Sequence, residues 1–150
     1  MQEGYVEAVC ISDKKGVRKN SVNKGELMKN YGLKDDAHAG DWHRQVSLLA
    51  AESIKKMQDM GLEVGEGDFG ENIVTRGIKL TEIPLESTIH VGDNDDIVLK
   101  VTQIGKECHD RCAIYYQAGD CIMPREGIFV QVLKGGMIHK GDPIKVKETN

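Results

Sequence analysis

Residues 96–104, DIVLKVTQI, set the β-branched side chains of Ile97, Val98, Val101, Thr102 and Ile104 around Leu99 and Lys100. A run of this kind, partly alternating between apolar and polar, predicts a β-strand, because branched side chains fit a pleated, half-buried surface. The stretch YVEAVCIS at 5–12 repeats the pattern. Shorter candidates stand at 45–49 (QVSLL), 71–75 (ENIVT), 87–91 (STIHV), 127–133 (GIFVQVL) and 143–148 (PIKVKE). Gly-Asp pairs at 92–93, 119–120 and 141–142 are turn signals. The first and last of them each precede a strand, and Gly135-Gly136 reads as a hairpin turn.

One helix is clear. AAESIKKMQDMG at 50–61 places Ile54, Met57 and, more loosely, Met60 on one stripe, and Gly61 suits the position just past a helix end. A weaker helix is expected over NKGELMKNYG, 23–32, again closed by a glycine. Many short strands with few helices predict a mainly β fold, a barrel carrying helical insertions. The chain of 150 residues fits a single domain over 1–150 and is long enough to fold without a covalent staple.

The formal net charge of −4 speaks against bulk attraction to nucleic acid or to an acidic membrane. No apolar run approaches the ~18 residues of a membrane span. The start, MQEGYVEAVCISDKK, lacks the basic and apolar regions of a signal peptide. Four cysteines then read as reduced thiols or ligands in the cytoplasm, where disulfide frameworks are rare.

Four constellations carry chemistry. In DDAHAGDWHRQVSLL, 35–49, His38 and His43 flank a glycine-containing turn, and Arg44 and Gln45 follow. The planar guanidinium of Arg44 suits a phosphate or carboxylate, and Ser47 adds a hydroxyl if it shares a face with Gln45. A polar loop entering a strand accounts for the same residues equally well. In GEGDFGENIVTRG, 65–77, closely spaced glycines allow either tight turns or close backbone approach to a ligand. Turns are the simpler reading there, with Glu71 and Asn72 as candidate polar contacts.

The third constellation is a cysteine cluster: Cys108, Cys112 and Cys121, with His109, Arg111 and Arg125 close by. A structural zinc site from Cys108, His109, Cys112 and Cys121 is one possibility, although the spacing is not that of a standard zinc knuckle. A dithiol switch is a second. A single reactive thiolate that carries sulfur or ligates a soft metal is a third, and nearby cations favour it. Cys10, inside a strand pattern, reads as a small buried hydrophobe. In the fourth, MPREGIFVQVLKGGMIHKGD at 123–142, Arg125 is either an anion clamp or half of a surface ion pair.

Taken in order, HAG-xxx-RQVSLL at 38–49, GDFGENI at 67–73, the cysteine before MPREGIF at 121–129 and LKGG-xxx-KGD at 133–142 resemble the MOSC family. That family is named for the C-terminal domain of molybdenum cofactor sulfurase, and the likeness is greatest to its small, free-standing bacterial members. The resemblance implies a MOSC-type β-barrel with a reactive cysteine that binds the molybdenum cofactor, or carries sulfur for cofactor or sulfur-metal centre maturation. Many members place this cysteine in G-x-P-R-x-P-C. The run GKECHDRC at 105–112 lacks both prolines and is one residue longer, making Cys112 the best match and Cys108 the second.

By the same resemblance Cys112 ligates molybdenum or holds a persulfide, with Cys108 and Cys121 as further thiols. The implied cofactor-binding residues are His38, His43, Arg44, Gln45, Asn72 and Arg125. A cysteine desulfurase, or another protein of cofactor biosynthesis, is the implied partner, and pyridoxal phosphate belongs to that partner alone. Two other functions stay open: a non-catalytic delivery module with a structural Cys/His zinc, and a molybdenum-dependent reductase of N-hydroxylated compounds.

Overall fold

The computed structural model describes residues 2–14, 17–94, 96–105 and 126–148. Their strands are β1 (Glu3–Ile11), β2 (Asn20–Val22), β3 (Lys24–Met28), β4 (Gly32–Leu33), β5 (Val46–Ala50), β6 (Ile73–Arg76), β7 (Thr88–Val91), β8 (Ile97–Ile104), β9 (Ile128–Lys134), β10 (Gly136–His139) and β11 (Pro143–Lys147). An α-helix, α1 (Ala51–Asp59), follows β5, and a 3₁₀ turn covers Leu80–Glu82.

The strands run β11-β7-β8-β9-β5-β6-β1, and β1 pairs back onto β11, closing a seven-stranded barrel; β2 extends it beside β1. Closure removes the free edges that an open sheet would expose. Within the barrel β5 and β6 pair parallel, while the other neighbours are antiparallel. A parallel pair cannot be joined by a tight turn, so a crossover is required there. Helix α1 lies in that crossover.

Alternation along the strands sorts the apolar residues into two cores. Val46, Leu48 and Ala50 of β5 join Ile73, Ile89, Leu99, Val101, Ile128, Val130 and Ile144 in the barrel interior. Leu49, Val74, Ala8 and Phe129 face the other way and pack with Ile54 and Met57 of α1. A register shift between Val6 and Ala8, where β1 meets β6, lets β1 serve both: Val6 and Val9 belong to the interior, Ala8 and Cys10 to the helix side. Burying a leucine or isoleucine in either core contributes about 1.5–3 kcal/mol. The helix ends at Asp59, with Gly61 at φ +93°, and so Met60 falls off the apolar stripe and is exposed.

Two expectations are corrected. Residues 23–32 are not a helix: β3 and β4 lie there and form a second, three-stranded sheet with β10. Leu27, Leu33 and Ile138 from this sheet cover the barrel interior. Nor is Gly135-Gly136 a hairpin turn, because β9 and β10 do not pair; the chain leaves the barrel here for the second sheet. A Cβ on Gly135 would lie 2.2 Å from the Leu27 carbonyl oxygen, so the two backbones touch where the sheets meet. Among the described residues no helix is long and apolar enough to cross a membrane.

Candidate functional site

The stretch from Lys34 to Gln45 connects the second sheet to β5, and its side chains reach three neighbouring structures. Arg44 Nε donates to Gln103 Oε1 at 2.9 Å, and its guanidinium carbon lies 5.3 Å from the centre of the Phe129 ring. Gln103 is on β8 and Phe129 on β9, so the guanidinium is braced from both strands. Its terminal amino groups have no partner among the described residues.

Gln103 is itself oriented. Its amide nitrogen donates to the Gly105 carbonyl at 2.8 Å, which leaves Oε1 to accept from Arg44 and from His43 Nε2 at 3.1 Å. The hydroxyl of Thr102 donates toward the carbonyls of His43 and Phe129. A register shift between Val101 and Gln103, where β8 meets β9, accompanies this pair of contacts. Extra residues at such shifts re-aim side chains at barrel rims.

Toward the other side, Trp42 packs edge-on against His43, with ring centres 5.8 Å apart, and its indole nitrogen donates to the His38 carbonyl at 2.8 Å. His38 Nδ1 lies 3.0 Å from the ammonium of Lys19. Lys19 is wholly enclosed and donates to Asp36 Oδ1 at 2.8 Å and to Ser12 Oγ at 3.1 Å. Burial pushes the Asp36 carboxyl up. The Lys19 hydrogen bond and charge, with the backbone N–H groups of Ser12 and His38, more than offset this and hold it below the usual range. One connected path therefore runs Lys19, His38, Trp42, His43, Gln103, Arg44.

Gln45 and Asn72 are placed differently. Both are fully buried, and their amides are used inside the chain. Gln45 donates to Asn30 Oδ1 and accepts from the Val132 N–H; Asn72 accepts from the Ser47 N–H and hydroxyl and donates to the Cys10 carbonyl. Ser47 is thereby tied to Asn72, pinning β5 to the 65–72 turn. Within that turn Glu71 accepts from the N–H groups of Gly67 at 2.9 Å and Phe69 at 3.1 Å. Cys10 is buried behind it, and burial, with Glu71 and Glu66 nearby, pushes its thiol up to about 12. As a protonated, enclosed thiol it is suited to packing and not to chemistry.

Burial also pushes the Glu71 carboxyl up to about 7, against its two hydrogen bonds to Gly67 and Phe69. An unfolded glutamate titrates near ~4.3, so between about pH 4.5 and 7 the folded chain binds more protons and stability falls as pH rises. The expected loss is on the order of 3 kcal/mol across that window. Urea unfolding should show it as a midpoint lower at pH 8 than at pH 5, with Glu71→Gln flattening the difference. Equal slopes for the two proteins would refute a buried, proton-holding Glu71.

Cys108, Cys112, Cys121 and Arg125 lie outside the described residues. The two ends of their segment are placed, however: the Gly105 N–H donates to the Gly127 carbonyl at 2.7 Å. The cysteine-bearing stretch thus leaves and re-enters the barrel at one point, beside the Gln103 amide that braces Arg44. Among the described residues no group of three His, Cys, Asp or Glu side chains is arranged to hold a metal ion. The motif in 38–49 pointed to Arg44 and the two histidines. Asp36 lay within the 35–49 run without being singled out, Lys19 carried no motif, and Thr102 and Gln103 had only their place in the strand at 96–104 as a signal.

A family model described as the MOSC domain matches residues 35–145. The chain belongs to the MOSC domain family. Solved structures with this barrel include YuaD from Bacillus subtilis, with 20% sequence identity, a TM-score of 0.80 and full coverage of both chains. YiiM from Geobacillus stearothermophilus matches 97% of this chain and 75% of its own length, at 17% identity and a TM-score of 0.71. YiiM from Escherichia coli matches 100% of this chain and 71% of its own, at 16% identity and a TM-score of 0.68. These likenesses concern the fold. No curated protein matches the sequence. Within the MOSC domain, the match begins at the loop that carries Asp36, His38 and Arg44 and takes in β8, β9 and the segment between them.

Proposed function

We propose that this MOSC protein binds the molybdenum cofactor, or carries sulfur destined for it or for a sulfur-metal centre, on a cysteine of the 108–121 segment. The observation that carries this reading is the position of Arg44. Its guanidinium is held by Gln103 and Phe129 at the root of the cysteine segment, with terminal amino groups that have no partner among the described residues. A fixed guanidinium fork suits a phosphate, and a thiolate suits molybdenum or a sulfane sulfur.

When bound, the cofactor supplies a redox-active molybdenum able to bond a thiolate. The protein's share is binding and orientation. Arg44 and Arg125 hold the phosphate, His38 and His43 line the approach from the 34–45 loop, and Cys112 is the acting thiol, with Cys108 next. Gln45 and Asn72 serve from behind, by fixing β5 against β9 and against the 65–72 turn. In sulfur carriage the Cys112 thiolate attacks the outer sulfur of a desulfurase persulfide. A new S–S bond forms on Cys112 and the donor leaves as a thiolate.

Protein purified from cells that make the cofactor should contain molybdenum and phosphorus together. Arg44→Met should weaken cofactor retention by roughly 10- to 100-fold, the worth of one charge-assisted contact of about 1.5–3 kcal/mol. Alkylation at neutral pH should label Cys112 or Cys108 first and Cys10 last. Slow, equal labelling of all four cysteines removes the reactive thiol. One equivalent of zinc, lost in Cys121→Ser, assigns the cluster to a structural site instead.

A further inference from the structure

Lys19, Asp36 and His38 form a hydrogen-bonded chain from the interior to the surface that cofactor contact alone does not explain. The side chains of Lys19 and Asp36 have no exposed surface, whereas His38 is about a quarter exposed. Asp36 accepts from three donors: Lys19 at 2.8 Å and the Ser12 N–H at 3.0 Å on one oxygen, and the His38 N–H at 3.1 Å on the other; the His38 ring nitrogen, 3.9 Å away, is too far to donate. These donors keep it a carboxylate, and Lys19 meets it as the ammonium of a salt bridge. An ammonium has hydrogens to give and no lone pair to accept with. At 3.0 Å from it, His38 Nδ1 must be the acceptor.

We propose that Lys19 is a positioning residue that holds His38 as the neutral imidazole carrying its proton on Nε2. Nδ1 is thereby withdrawn from metal ligation and from service as a base. Whatever the Nε2 edge faces, it faces as an N–H donor, which selects oxygen acceptors such as a phosphate, a carbonyl or an oxo group. This last consequence rests on the cofactor-binding reading; the state of the ring does not.

The ring should also resist a second proton, since protonating Nδ1 would break its bond to Lys19 and set two cations together. Within 4 Å, the charged groups of the described residues that face it are Lys19, from the loop before β2, and Asp36, from the loop after β4. Lys19 is the nearer, and it occupies the nitrogen that would have to be protonated.

The test is nitrogen-resolved NMR of the histidine rings in the full chain without cofactor, with His38 assigned from the signal lost in His38→Gln. Nδ1 should show the shift of a bare, hydrogen-bonded nitrogen and Nε2 that of an N–H. The midpoint of protonation should lie at least roughly one pH unit below the ordinary value near ~6.5. In Lys19→Met/Asp36→Asn, which removes both charges together, the midpoint should return toward ordinary. An imidazolium near neutral pH in the wild type, or identical midpoints in the two proteins, overturns the proposal. The wild-type spectrum decides it even if the variant does not fold. Because no cofactor is involved, failure here leaves the molybdenum reading intact, and failure of that reading leaves the ring as described.

Discussion

Lys19→Met should destabilise the protein by about 3–5 kcal/mol, because it strands a buried carboxylate without its counter-charge. Methionine fills the lysine's volume, so loss of packing contributes little to the effect. Asp36 would keep its backbone donors from Ser12 and His38 but lose the ammonium at 2.8 Å. Its carboxyl, now held below the usual range, would move upward as burial takes over from the lost pair. Asp36→Asn alone should also be costly, since Lys19 would then be an unpaired buried cation. Lys19→Met/Asp36→Asn should recover most of the loss, since the net worth of a buried pair is far smaller than the cost of breaking it from one side. Denaturant unfolding of the four proteins in a double-mutant cycle measures this directly. Additive single effects would mean that the two groups are not coupled, and the account of the site around His38 would fall with them.

The barrel was legible because its strands declare themselves locally. The β-branched runs at 5–12 and 96–104 correspond to β1 and β8, and the stripe of Ile54 and Met57 to α1. What was not legible is held by contacts distant in sequence. Lys24, Glu26, Leu27 and Met28 are good helix formers, and the pairing of β3 with β10, where Glu26 stands opposite Met137, and with β4 makes them a strand. Gly135-Gly136 has the composition of a hairpin turn, yet the Leu27 backbone lies against Gly135 and pairs with Gly136, carrying the chain from the barrel into the second sheet.

The same division holds for the site. Arg44 and the two histidines sit in one short polar run and could be singled out. Lys19 and Asp36 are 17 residues apart on separate loops, and nothing in the intervening sequence ties one to the other. Gln103 lies 59 residues beyond Arg44 and serves it only because β8 and β9 bring them to one rim. A charged residue in a loop is ordinarily solvated. Burial of Lys19 is a property of the assembled barrel, and so is everything that follows for His38.

Gly67→Ala should cost about 3 kcal/mol or more, and for a reason that the glycine-rich appearance of 65–70 does not disclose. Gly67 sits at φ +83°, where an L side chain is strained by about 1–2 kcal/mol. A Cβ there would also lie 2.1 Å from the Lys19 carbonyl oxygen, and main chain cannot swing aside as a side-chain end can. The close approach is itself a contact: the Lys19 N–H donates to the Gly67 carbonyl at 2.7 Å. The added methyl must therefore push the backbone of Lys19 away from the turn and draw its ammonium out of line with Asp36. Overpacking adds about 1–3 kcal/mol to the strain. The signature that separates this from ordinary loop damage is at His38, whose ring should lose its hydrogen-bonded Nδ1 signal in Gly67→Ala. At Gly65 nothing lies within 4 Å of an added Cβ, so Gly65→Ala should leave both stability and the ring unchanged. Equal effects at the two glycines would mean that the turn acts through flexibility and not through its contact with Lys19.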